Sequence, residues 1–254
     1  MKAVMIGAGN VATNLVRALS ATGIEVVQVY SHTLAHAREL ADTVNAGATD
    51  DLSALEMGAD IYIISVKDDA IVNVVSSIPD NGALWVHTSG SIPMTVFEGR
   101  RQRYGVFYPM QSFSKQIATD FTEVPFFIEA VNNGVALEIE ALAQRLSQRV
   151  FHATSEQRRR LHIAAVFACN FANHLWTLAD DVLRDAELPF DVMLPLISTT
   201  VDKLKRLSPA ESQTGPAMRR DHRVMQSHMA MLDKDKALIY KTLSDNIMKR
   251  HEQD

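Results

Sequence analysis

The stretch VMIGAGNVATNL, residues 4–15, decides the fold, because it sets Gly7, Gly9 and Ala12 between a β-branched apolar run and an amphipathic one. The spacing is G-x-G-x-x-A. Glycine at position 7 admits a tight strand-to-helix turn, glycine at 9 lets backbone approach a bulky anion, and alanine at 12 lets the helix pack closely on the strand. A helix opening here leaves the N–H groups of Asn10, Val11 and Ala12 without partners inside the helix, and together with the helix dipole these favour a phosphate. The pattern alone is weak, so its weight depends on what flanks it.

What flanks it is an alternation of short strand-like and helical segments: KAVMI, NLVRALSATG, EVVQVY, AHARELADTV, DIYIISV, AIVNVVSSI and ALWVHT. Strands such as IYIIS and VVQVY are apolar on nearly every residue, as expected when crossover helices cover both faces of a parallel sheet. Right-handed crossovers then give a doubly wound α/β layer of Rossmann type. YGVFYPM, PFFIEA and RVFHA read as further strands, and GVALEIEALAQRLSQ as a helix. Beyond Ser155 the strand-like runs stop, and helices are expected near 155–186, 190–206, 217–232 and 234–250. The expected organisation is a dinucleotide-binding domain over 1–153 and an all-helical domain for substrate and dimerisation over 154–254.

The chain has 254 residues, with 30 acidic against 25 basic side chains and a formal net charge of -5, which argues against a nucleic-acid or anionic-membrane partner. Arg158, Arg159 and Arg160 form the one basic cluster and read as a solvated helix start. The single cysteine, Cys169, excludes an internal disulfide and fits a reducing cytoplasm. The N-terminal apolar run is too short for a signal segment, and no apolar stretch reaches the roughly 18 residues a membrane span needs. His222 and His228 fall on opposite sides of a helix and no carboxylate completes a set, so no metal is expected.

The second strand ends at Tyr30 and runs into Ser31, His32 and Thr33, where an NAD site would present an acid to the ribose 2′-hydroxyl. Neutral or positive donors there suit a 2′-phosphate and point to NADP; the other reading is that they cap the next helix. At the ends of later strands, Val66 and Lys67 in SVKDDAI and Ser89 and Gly90 in HTSGSIP open on the same crevice. Val66 and Lys67 suit the ribose of the cofactor, Ser89 and Gly90 the nicotinamide. Asp68 reads as a helix cap, and His87 as either a structural or a functional histidine.

LHIAAVFACNFANHLW, residues 161–176, reads as one buried apolar helix carrying His162, Asn170, Asn173 and His174. At about 100° per residue Asn173 lies about 20° round from His162, with Asn170 near 80° and His174 near 120°. Buried polar groups need partners, and four on one flank suggest a ligand. His162 is the candidate acid/base, imidazole being the side chain suited to proton transfer at neutral pH, Asn170 the substrate-orienting donor, and His174, one turn from Asn170, shares a ligand or water with it. Lys203 and the pair Arg219 and Arg220 are further basic groups, each also readable as solvated; the two arginines suit a substrate carboxylate.

GAGNVATNL, VYSHT, HTSGSIP, GVFYPMQSFSK, LHIAAVFACNFANHLW and QTGPAMRRD together resemble the Rossmann-like NADP oxidoreductase family with a helical C-terminal domain of unknown function, over essentially the whole chain. More distantly, the layout is similar to pyrroline-carboxylate reductases, ketopantoate reductases and β-hydroxyacid dehydrogenases. The resemblance implies a nucleotide-binding domain, then a helical domain whose long first helix lines the active cleft, often paired as a homodimer. It implies hydride transfer between NADPH and a small carbonyl or imine, without naming the substrate. One departure stands out: the β-hydroxyacid dehydrogenases carry Lys followed by Asn on the cleft helix, and this helix has no lysine. A nucleotide sensor without turnover is the alternative.

Overall fold

The computed structural model describes residues 1–251, so the last three positions of the expected helical domain lie outside the described residues. Its strands are β1 (Lys2–Ile6), β2 (Glu25–Tyr30), β3 (Gly47–Thr49), β4 (Ile61–Ile64), β5 (Leu84–His87), β6 (Tyr104–Pro109), β7 (Phe126–Ala130) and β8 (Val150–His152). Between them run α1 (Asn10–Ala21), α2 (Leu34–Ala41), α3 (Asp68–Ser77) and α4 (Asn133–Gln144). They build one sheet in the order β3-β2-β1-β4-β5-β6-β7-β8. The chain leaves β1 toward β2 and β3 on one side, then returns to place β4 on the other, so the carboxyl ends of β1 and β4 flank the switch point where such sheets bind ligands.

β4 shows why this layer is two-sided. All four residues are buried, with Ile61 and Ile63 in a core shared with Leu15 and Leu19 of α1 and Ile139 of α4. Tyr62 and Ile64 enter the opposite core with Ile71 and Val75 of α3. At about 1.5–3 kcal/mol per buried large apolar side chain, both faces contribute to stability, and the period-two alternation fixes the register. The sheet is not wholly parallel, as the strand runs suggested: β7 pairs antiparallel with β6, and β8 then runs parallel to β7. The segment between β6 and β7 holds no helix, so the chain turns back instead of crossing over.

The chain forms two compact units, Met1–Cys169 and Asn170–Asp254. α5 (Ser155–Ala165) therefore lies with the sheet, although the strand pattern ends before it. The expected single helix over 155–186 is interrupted: Val166–Phe171 is π-helical, and α6 (Ala172–Asp185) follows. A uniform 100° step does not carry through wider turns, so the phase placed on Asn170, Asn173 and His174 from His162 does not hold. Nor is 161–176 buried; Ile163 is 57% exposed and Phe167 67%. Apolar composition was a poor guide to burial along this segment.

The second unit contains α6, α7 (Leu194–Lys203), α8 (His222–Ala230) and α9 (Lys234–Arg250). α7 is shorter than the expected 190–206, because Phe190–Met193 is a 3-10 turn. α8 opens at His222 and not near 217, since the Asp221 side chain accepts from Val224 N–H and starts the helix there. α6 and α7 have no buried residue, and Leu175, Trp176, Leu194 and Leu196 are exposed. Among the described residues no helix is long and apolar enough to cross a membrane.

Candidate active site

The β1–α1 turn is held by the strand beside it. Gly7 donates to the Tyr30 carbonyl at 2.8 Å and sits at φ +128°, and a Cβ there would stand 2.2 Å from the carbonyl oxygen of Ser65. Only glycine fits. Gly9 differs, because a Cβ on it would meet nothing within 4 Å. It is the N-cap of α1 with no side-chain cap, no acid lies in the first turn, and the first amide bonded back to it is Thr13 N–H. The N–H groups of Asn10, Val11 and Ala12 are thus left without helical partners beside open space. Open space, free donors and the positive end of a helix fit a pyrophosphate.

The other two turns on this edge share the missing side-chain cap, although α3 carries Asp68 and Asp69 in its first turn. α2 begins after Thr33 and α3 after Lys67, and neither N-cap makes a side-chain cap bond. The capping reading of Ser31, His32 and Thr33 is therefore not taken up: the Thr33 hydroxyl pairs with His32 Nδ1 at 3.0 Å, and His32 is exposed. Lys67 is exposed and Val66 packs partly against the core. Asp68, expected as a cap, is instead the first residue of α3, with Lys67 in the cap position.

His87 is fully buried, its Nδ1 accepts from Ser89 N–H at 3.2 Å, and its ring lies 5.7 Å from that of Phe97. Burial, with the Arg158 charge adding to it, pushes its pKa down to about 3. A neutral, enclosed imidazole does not exchange protons with a substrate, which resolves His87 as structural. Ser89 shapes the loop after β5, its Oγ accepting from Ser91 and Ile92 N–H at 3.0 Å each.

Gly90 brings the site together. A Cβ on it would lie 2.9 Å from His162 Nδ1 and 2.9 Å from Tyr108 Cζ, so His162 of α5 and Tyr108 of β6 both pack directly on this glycine. The Tyr108 hydroxyl and His162 Nδ1 are 3.4 Å apart, with the rings edge to face. Tyr108 is buried, and burial raises its pKa, opposed by Arg158 and reinforced by Asp68. His162 is half-buried.

Arg158 corrects the reading of the arginine run. Arg159 and Arg160 are exposed, but Arg158 is 1% exposed and ion-paired to Glu129 of β7 at 2.9 Å. Asn170 and His174 lie in the second unit, both exposed, and so does Lys203. Sequence reasoning missed Tyr108, Arg158, Glu129 and Asn14. Asn14, 2% exposed inside α1, donates to the Asn10 and Ser114 carbonyls at 2.9 Å and accepts from Thr119 N–H, tying the segment after β6 to the glycine-loop helix. An amide on the packed side of an apolar helix was its one visible signal.

Comparison with known proteins supports the family and the fold. A family model described as NADP oxidoreductase, coenzyme F420-dependent, matches residues 2–88, and a domain of unknown function, DUF2520, matches residues 124–247. A Bacteroides fragilis crystal structure titled "putative NADP oxidoreductase" is 50% identical over 98% of this chain and 98% of its own, with a TM-score of 0.92. A Thermotoga maritima protein is similar in fold at 23% identity, over 99% of this chain and 98% of its own, with a TM-score of 0.78. A reductive aminase from Aspergillus terreus, in complex with NADPH and ethyl-5-oxohexanoate, shares the fold at 14% identity, over 98% of this chain and 94% of its own, with a TM-score of 0.73. No curated protein matches the chain.

Proposed function

The chain belongs to the NADP oxidoreductase family that joins this nucleotide-binding half to DUF2520, and from that premise we propose that it reduces a small carbonyl or imine compound with NADPH. The observation that carries the proposal is the glycine turn, where Gly7 is forced by Ser65 while Gly9 faces open space under uncapped N–H groups. NADP is the cofactor. Asn10, Val11 and Ala12 would hold its pyrophosphate beside Gly7 and Gly9, Ser31, His32 and Thr33 its 2′-phosphate, Val66 and Lys67 the ribose, and Ser89 and Gly90 the nicotinamide side. When bound, NADPH supplies the hydride.

The remaining work is proton supply and placement. The buried Tyr108 phenol stays protonated, and its hydroxyl, 3.4 Å from His162 Nδ1, holds the ring by that nitrogen and leaves Nε2 for the substrate. As imidazolium, His162 delivers its Nε2 proton to the oxygen or nitrogen of the reduced bond, is left a neutral imidazole, and is reprotonated from solvent. The exposed apolar side chains of α6 and α7 support a homodimer, and the single exposed thiol, Cys169, suits the cytoplasm. A mass measurement in solution tests the assembly.

The activity is tested by NADPH oxidation against a panel of ketones, aldehydes and imines. His162→Ala should lower turnover about 10²- to 10⁴-fold, the range for loss of a positioned acid, with NADPH affinity retained. NADPH binding without oxidation across the panel, and ligand-dependent association in its place, would replace the reductase with a sensor.

A further inference from the structure

Arg158 is a buried guanidinium whose bonds join three separate elements. Nη1 donates to the carbonyls of Ser89 at 3.0 Å, Gly90 at 3.3 Å and Ile92 at 2.7 Å. Nη2 donates to Glu129 Oε2 at 2.9 Å and to Ser155 Oγ at 3.1 Å. Glu129 in turn accepts from Ser155 N–H at 3.0 Å and from the Ser155 hydroxyl at 2.6 Å, so the same carboxylate anchors the first turn of α5 to β7. The loop after β5, the start of α5 and the edge of β7 thus meet on one side chain. Its planar fork reaches both sides at once, which the single ammonium of a lysine does not do.

His162 stands four residues further along α5, on the same helical face as Arg158. Its ring packs on Gly90, one of the residues whose carbonyl Arg158 holds. We propose that Arg158 is a positioning residue for the reaction: by clamping the Ser89–Ile92 loop to the first turn of α5, it sets where the His162 ring stands against Gly90 and Tyr108. The assignment rests on the reading of His162 as the proton donor. Arg158 touches no reacting atom in this scheme and acts only through the seat it gives His162.

Imidazole resonances of ¹⁵N-histidine-labelled full-length protein test this, with the His162 signals identified by their loss in His162→Gln. Two variants are compared with wild type: Arg158→Lys, which keeps charge and most of the packing, and the double variant Arg158→Met with Glu129→Gln, which leaves no carboxylate unpaired. Both should shift the His162 nitrogens and alter the tautomer balance. Turnover should fall about tenfold to a hundredfold in kcat, as for an ångström-scale misplacement of a reacting group. A purely structural arginine would lower the melting temperature and leave the His162 signals in place; unshifted signals in both variants overturn the proposal. Shifted signals combined with full turnover in His162→Gln would support the positioning and reject His162 as the donor.

Discussion

Gly7 and Gly9 sit two residues apart in one turn, yet alanine at each should fail for a different reason. At Gly7 the new side chain meets a left-handed backbone, φ +128°, and a Cβ 2.2 Å from the Ser65 oxygen and 2.6 Å from its carbon. The backbone strain costs about 1–3 kcal/mol, the overlap with the main chain just past β4 about as much again, and lower unfolded-state entropy returns about 0.4–1 kcal/mol. The net is a loss of about 1–5.5 kcal/mol, or about 2–22 °C in Tm for a chain of this size. At Gly9 the backbone is extended, φ -83° and ψ -172°, and a Cβ meets nothing. Gly9→Ala should therefore change stability by less than about 1 kcal/mol. Its methyl group occupies the space assigned to the pyrophosphate, so NADPH affinity should fall at least about tenfold, or 1.4 kcal/mol. Thermal unfolding and NADPH fluorescence titration on both variants give four numbers that must cross over. Wild-type affinity in Gly9→Ala would show that the pyrophosphate does not lie there, and a wild-type melting temperature in Gly7→Ala would refute the steric account of the turn.

Two further outcomes follow from groups on the same edge. His87 has a folded pKa of about 3 against about 6.5 when unfolded, so below pH 6.5 the unfolded chain takes up a proton the native one refuses; stability is full above 6.5 and declines toward pH 3. Urea melts should show a loss of about 2 kcal/mol between pH 6.5 and 5 that His87→Asn, which keeps an acceptor for Ser89 N–H, largely removes; an unchanged slope in the variant would place the effect elsewhere. At the end of β2, His32→Asp should weaken NADPH at least about tenfold relative to NADH, because a carboxylate repels a 2′-phosphate and accepts from a 2′-hydroxyl; competitive titration measures the ratio, and an unaltered preference would remove Ser31, His32 and Thr33 from the phosphate site.

What the sequence made legible was whatever rests on neighbours in the chain. The glycine turn needs only residues 4–15, and the all-apolar β4 announces a two-faced sheet by itself. The reversal at β7 was not legible, because PFFIEA carries the same alternation in either direction and its sense depends on a connection without a helix. Arg158 was misread for a related reason. In sequence it stands beside two solvated arginines, while the groups that bury it, Glu129 and the carbonyls of Ser89, Gly90 and Ile92, come from distant strands and loops. Tyr108 and His162 likewise meet across 54 positions. The π-helical turn at Val166–Phe171 has no signature in VFACNF that separates it from an ordinary helix.

The helix caps tie the local and the distant signals together. α4, α5, α8 and α9 each begin on a side chain that accepts from the first turn: Asn132, Thr154, Asp221 and Asp233. α6 and α7 continue from helical turns that precede them and need no cap. α1, α2 and α3 begin from loops without a side-chain cap, and these are the three helices that open at the carboxyl ends of β1, β2 and β4. A missing cap leaves first-turn donors unmet at a cost of about 0.5–2 kcal/mol per helix, which a fold retains where something else meets them. At Gly9 a capping carboxylate would also set a negative charge where a pyrophosphate must come. With the pyrophosphate proposed at this turn, the absence of Asp, Ser or Thr at Gly9 belongs to the binding chemistry; at α2 the cap position does hold a capping residue, Thr33, whose hydroxyl pairs with His32 instead, so in sequence alone only the first of the three helices shows the feature.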